Sequence, residues 1–178
     1  HAENSIDHQL LRRMVLLEED TAARLYSQKS SLPAGIQHHP LYDFAGHFAG
    51  SHQAQSIDHL LRLTKRMAEN FTVPFEQMRF GGTEREILLR STDWCSDMAR
   101  LGAVLLMCLG IPARILVLAN RQKAYHGHVV TEAFYEEHWG VVDFLYGCRF
   151  YQGHPLSGWE LKRCPQLVGQ RFAPEQAE

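Results

Sequence analysis

Long apolar runs are scarce in the 178-residue chain. The longest, Leu101 to Leu109, has about half the length a bilayer requires, so no membrane span is expected. Cysteine is sparse too: Cys95, Cys108, Cys148 and Cys164 form no C-x-x-C pair, which removes zinc knuckles and thioredoxin-like redox motifs, and four in a chain this long do not make a disulfide scaffold. Cys148 and Cys164 could bridge in an oxidising compartment, which sequence leaves open. There is no excess of charge of one sign. Against 18 basic side chains stand 20 acidic ones, a net charge of −2, with no basic stripe to track a phosphate backbone, so no nucleic-acid partner is expected. Nor is there a solenoid repeat: Ser-Ile-Asp-His occurs at Ser5 and at Ser56, which shared helix-start chemistry explains. The composition is that of an ordinary soluble globular chain, 45% hydrophobic and 21% charged, sized for one domain. The chain begins at His1 rather than methionine, so a trimmed N-terminus is expected. The compartment stays open, a cytoplasmic one being favoured, and so does the oligomeric state.

Helical periodicity comes first. Ile6, Leu10, Met14, Leu17 and Leu25 predict a helix from Ser5 to about Ser27. Pro33, Gly35, Pro40, Gly46 and Gly50 break the following segment into short pieces. Ser56 reads as the cap of a second helix running through Ile57, Leu60, Leu61, Thr64 and Met67 to about Phe71. Thr83 to Arg90 is a third. A strongly apolar fourth runs from about Trp94 to Leu109, capped by Asp93, with Gly110 and Pro112 as its stop. Three β-like runs follow, Arg114 to Ala119, His128 to Tyr135 and Trp139 to Leu145, joined by short polar connections that favour antiparallel neighbours. From Gly153 the chain is punctuated by Pro and Gly and ends in a polar stretch expected to fray. Helices followed by an antiparallel sheet make an α+β domain. The expected organisation is one domain over 1–178: a mainly helical part (1–72), a core (83–146) and a C-terminal extension (150–178).

Cys95 stands out chemically. It opens the fourth helix, where free backbone N–H groups and the helix dipole favour a thiolate, whereas Cys108 lies on that helix's apolar side and reads as core. A nucleophilic thiol needs a proton acceptor and a group to orient it. His128 and Asp143 fit if Glu136 and Glu137 form a two-residue turn. Tyr135 then pairs with His138, paired numbers sum to 273, Val130 faces Asp143, and His128 lies diagonally from Asp143 on one face. A one-residue slip would separate the two side chains.

Three blocks then resemble the transglutaminase-like superfamily of papain-like cysteine enzymes: Asp93-Trp94-Cys95-Ser96-Asp97-Met98-Ala99 with the helix ending Gly110-Ile111-Pro112-Ala113-Arg114, then His128-Val129-Val130-Thr131-Glu132, then Trp139-Gly140-Val141-Val142-Asp143. The resemblance covers roughly 84–143, about a third of the chain. It implies a transglutaminase-like, papain-like fold, N-terminal helices packed against an antiparallel sheet, and a triad of Cys95, His128 and Asp143. It departs at Asp93, where the family usually has glycine, and at Val130, where it often has an aromatic residue. The implied chemistry is acyl transfer on a peptide, amide or small acyl substrate through a thioester, by hydrolysis or transamidation, with no cofactor and no metal. The alternative is a binding or scaffold domain that keeps the fold without turnover.

Other residues have plainer readings beside the sharp ones. Trp94 and the Cys95 N–H are oxyanion candidates, and His126 competes with His128 or contacts substrate. His126 and His128 could also chelate a metal, though no third ligand is evident. His38, His39, His47 and His52 read as surface loop residues, and Tyr42, Phe44 and Phe48 as packing. Trp139 reads as core between sheet and helix, Arg114 as an ion-pair partner of Glu132, and Asp97 as a first-turn acid.

Overall fold

The computed structural model describes residues 17–27, 31–119 and 127–174. Its helices are α1 (Glu19–Ser27), α2 (Tyr42–Gly46), α3 (Gln53–Glu69), α4 (Glu84–Arg90), α5 (Cys95–Cys108) and α6 (Gly158–Arg163), with 3-10 turns at Ile36–His38, Phe75–Gln77 and Pro165–Gly169. Five strands, β1 (Ala113–Ala119), β2 (Gly127–Tyr135), β3 (His138–Asp143), β4 (Cys148–Phe150) and β5 (Arg171–Phe172), form one antiparallel sheet in chain order. The architecture is α+β, as the order of periodicities predicts.

α3 buries Ile57, Leu60, Leu61 and Thr64, the spacing of one helical face. Its cap is His52, whose ring nitrogen accepts the Gln55 N–H, and not Ser56. Ser56 lies one turn inside the helix, buried, where its hydroxyl accepts the Gly50 N–H and ties down the incoming loop. α4 begins at Thr83 with a capping box closed by Glu86. Of the first predicted helix, the part before Leu17 lies outside the described residues; Glu19–Ser27 is helical.

α5 carries the central packing. Met98, Leu101, Leu105 and Leu106 are fully buried against α3 and the sheet. After it, Gly110 at φ 77° and Pro112 reverse the chain into β1. β1 therefore runs back along α5, and β2, antiparallel to β1, runs parallel to the helix. Thr131, Ala133 and Tyr135 of β2 face α5 and the core, and the Thr131 hydroxyl donates to the Ala99 carbonyl at 2.9 Å. Gly102 admits the Phe144 ring: a Cβ there would lie 2.0 Å from a ring carbon.

β2 and β3 pair Tyr135 with His138 and Thr131 with Val142, the register expected from a two-residue turn. Glu136 and Glu137 occupy that turn at φ 51° and 61°, both left-handed, as a type I′ hairpin requires. β3 ends at Asp143, two residues before the predicted Leu145, because Asp143 Oδ1 accepts the N–H groups of Leu145 and Tyr146 and turns the chain. Trp139 is buried on the sheet face opposite α5, not between sheet and that helix. It packs with Phe134 and under the Arg114 guanidinium, 3.9 Å from its ring centre.

The segment after Gly153 is ordered as far as Pro174 is described. α6 has its own capping box at Ser157, and β5 pairs with β4. Arg149 of β4 binds Asp58 of α3 through both guanidinium arms at 2.8 and 3.3 Å, joining the sheet to the helical layer.

Gly102→Ala tests the α5–sheet contact. Alanine gains up to about 1 kcal/mol of helix propensity, but overpacking a ring costs about 1–3 kcal/mol, and at this separation the clash wins. The expected outcome is a lower melting temperature by several degrees in thermal denaturation.

Candidate active site

The chain reversals decide where chemistry can gather. Cys95 is the first residue of α5, His128 the second of β2 and Asp143 the last of β3. With β2 parallel to α5 and β3 antiparallel to β2, these three positions fall at one end of the layer. The Thr131–Ala99 bond sets the sliding register, one helical turn after Cys95 and three residues after His128.

His128 and Asp143 meet directly. Nε2 donates to Asp143 Oδ2 at 2.6 Å, since a carboxylate only accepts. With the Oδ1 bonds to Leu145 and Tyr146, the carboxylate, 5% exposed, is held by three donors. The bond to Nε2 leaves Nδ1 as the basic nitrogen of a neutral ring. The Tyr146 ring lies 5.3 Å from the His128 ring, tilted by 50°. Among the described residues, Cys95 makes no hydrogen bond to His128 or Asp143, and its side chain is partly exposed.

Trp94, not Asp93, is the cap residue of α5, and no side chain caps the helix. Asp93 is exposed. The Trp94 N–H is taken by the Thr92 hydroxyl at 3.1 Å, and its indole packs on Phe80, centroids 4.7 Å apart. The Cys95 N–H, at the first helical position, points out of the helix start without an acceptor among the described residues. Both oxyanion candidates, the Cys95 amide and the Trp94 indole, keep an N–H without an acceptor among the described residues. His126 lies outside the described residues.

Asp97 does more than a first-turn acid. It is 3% exposed, bonded to Arg90 at 2.5 Å, and its two oxygens accept the Gly81 N–H at 3.2 and 3.1 Å, so the loop before α4 is pinned beside the start of α5. Sequence reading missed this tie and the Phe80–Trp94 contact; an aromatic followed by a Gly-Gly pair was the available signal. Tyr146 was missed because its place follows from the Asp143 turn.

Glu132 binds Arg114 at 2.7 Å, as expected, and also accepts from the Tyr26 hydroxyl at 2.6 Å and the Gly158 N–H at 2.7 Å. It is 1% exposed and joins α1, β1 and α6. Burial beside this carboxylate pushes the Tyr26 hydroxyl above its ordinary value. His38, His47 and His52 are exposed, and Phe44 and Phe48 pack 5.3 Å apart against the core. Among the described residues no three His, Cys, Asp or Glu side chains gather as a metal site, and no helix is long and apolar enough to cross a membrane.

No protein-family model matches the sequence, and no curated protein matches it significantly. A solved structure does resemble it: a candidate cysteine protease from Cytophaga hutchinsonii, 20% identical, with a TM-score of 0.45, matched over 72% of this chain. The chain spans 43% of that protein's length.

All four cysteines are unpaired. Burial pushes the Cys108 thiol upward and the Cys148 thiol up to about 11. Iodoacetamide at pH 8 should therefore alkylate Cys95 and Cys164 and spare Cys108 and Cys148, read by peptide mass. Because the folded Cys148 value is raised, the stability it lends is complete below about pH 9 and is lost as pH climbs to about 11. Melting temperature should fall more steeply over that window in the wild type than in Cys148→Ala.

Proposed function

We propose that the chain is a cysteine enzyme of transglutaminase-like type that transfers acyl groups from a peptide, amide or small acyl substrate. The observation that carries the reading is the 2.6 Å His128–Asp143 bond at the end of the layer where α5 begins with Cys95. The blocks around Cys95, His128 and Asp143, in the superfamily's order, support the same reading.

In this mechanism His128 Nδ1 takes the thiol proton and the Cys95 sulfur attacks the carbonyl carbon. The Cys95 amide donates to the oxyanion. As the C–N bond breaks, His128 returns the proton to the leaving amine and a thioester remains on the sulfur. Water, deprotonated by His128, then yields the acid and free thiol; an amine in its place yields a new amide. Asp143 holds the imidazole with Nε2 protonated and stabilises the imidazolium that forms in each half-reaction. The chemistry calls on no group beyond these side chains.

An activated acyl amide or thioester, followed by intact mass, tests this. Stoichiometric acylation should occur at Cys95, vanish in Cys95→Ala and slow by roughly 10²–10⁴-fold in His128→Ala, the usual span for losing a general base. Adding an amine and weighing the released product separates transamidation from hydrolysis. A folded protein whose Cys95 is never acylated contradicts the proposal and favours a binding domain.

A further inference from the structure

Beside Cys95 lies a feature the acyl-transfer chemistry does not use. Phe75, Phe80 and Trp94 are 66%, 49% and 40% exposed, yet they pack on one another in tilted contacts, with centroids 6.2 Å apart for Phe75–Phe80 and 4.7 Å for Phe80–Trp94. We infer that this aromatic face is the subsite for a bulky apolar side chain next to the carbonyl that Cys95 attacks; the inference rests on the cysteine-enzyme reading.

The face is built rather than left over. Phe80 precedes Gly81 and Gly82, at φ 75° and 87°, a conformation other residues rarely adopt. The turn they make is held from both sides: Gly81 donates to buried Asp97, and the Gly82 carbonyl accepts from Arg100. Arg90 and Glu84 of α4 close on Asp97 and Arg100 in turn, at 2.5 and 2.9 Å. Both anchors belong to the first two turns of α5. Phe80 is thus fixed relative to Cys95 through the same helix, and its ring is turned outward rather than into the core. Large apolar rings grouped on a surface mark a contact site.

The occupant follows from position. Trp94 is bonded to Cys95, so the aromatic face begins one residue along the chain from the nucleophile. A substrate whose carbonyl reaches that sulfur brings the atoms flanking the carbonyl near this wall. Aromatic faces reward large apolar or aromatic side chains by area and ring contact. A small or charged side chain gains neither. The substrate class is accordingly a peptide or acyl amide with a large apolar residue at the attacked carbonyl.

The test uses two activated acyl probes that differ only in the side chain beside the carbonyl, benzyl against methyl. Acylation rates at Cys95 are divided by the iodoacetamide rate of the same variant, which samples the thiol alone. The wild type should prefer the benzyl probe by about tenfold, the yield of burying part of one ring. Phe80→Ala should remove most of that preference and Phe80→Leu should restore part of it. Equal rates for both probes in the wild type, with acylation still dependent on His128, would overturn the subsite and leave the enzyme standing. Failure of every acyl probe to react with Cys95 in a His128-dependent way would overturn the enzyme reading itself. If Phe80→Ala instead turned a dimer into a monomer with the preference intact, the face would belong to a second copy of the chain and the subsite would be refuted.

Discussion

The reversal of the chain after α5 is the constraint on which the rest depends. Gly110 and Pro112 send β1 back along the helix, and the β1–β2 pairing sends β2 forward again. The helix start, the start of β2 and the end of β3 therefore share one end of the layer, whatever the loops do. Thr131 and Ala99 lock the remaining freedom to slide, and the Phe144 ring seated on Gly102 locks the separation of helix and sheet. The hairpin turn completes the specification. Since side chains alternate along a strand, a turn one residue longer would move Asp143 to the other face. Two glutamates accept left-handed backbone to keep it short.

Three buried carboxylates sit at the joints of this arrangement, and each is matched by donors, as a buried charge requires. Glu132 gathers α1, β1 and α6 through Tyr26, Arg114 and Gly158. Asp97 gathers the Gly81 turn and α4 onto the start of α5. Asp143 folds the chain after β3 over itself and holds the His128 ring. Glu132 acts on the sheet face away from α5, Asp97 shapes the surroundings of Cys95, and Asp143 orients the proposed base. Packing carries the core, but the Asp97 and Asp143 joints set the positions of the groups at the end of the layer.

Much of this was legible in the residues, and the boundary of legibility has physical causes. Helices with a buried face, such as α3 and α5, reveal themselves by period, and Gly110 and Pro112 mark a stop by their backbone chemistry. The β2–β3 register could be deduced from the turn length, which fixes pairing. Caps were less legible: His52 and Trp94 hold the cap positions because approaching chain segments put them there, while Ser56 was recruited by the Gly50 loop. The strands β4 and β5 have three and two residues, too few to show alternation, and they exist because β3 offers an edge to pair with. Asp97 and Phe80 were illegible because their partners are distant in sequence, and only the fold discloses the contact.

In the proposed enzyme the Cys95 sulfur and the His128 ring face each other across a gap small enough for proton transfer. A dibromoacetone cross-linker, which first alkylates a thiol and then the nearest nucleophilic nitrogen within its three-carbon reach, measures this directly. Peptide mapping should recover Cys95 joined to His128, with the link lost in His128→Ala. A Cys95 monoadduct with no link to His128 in the folded protein would contradict the account.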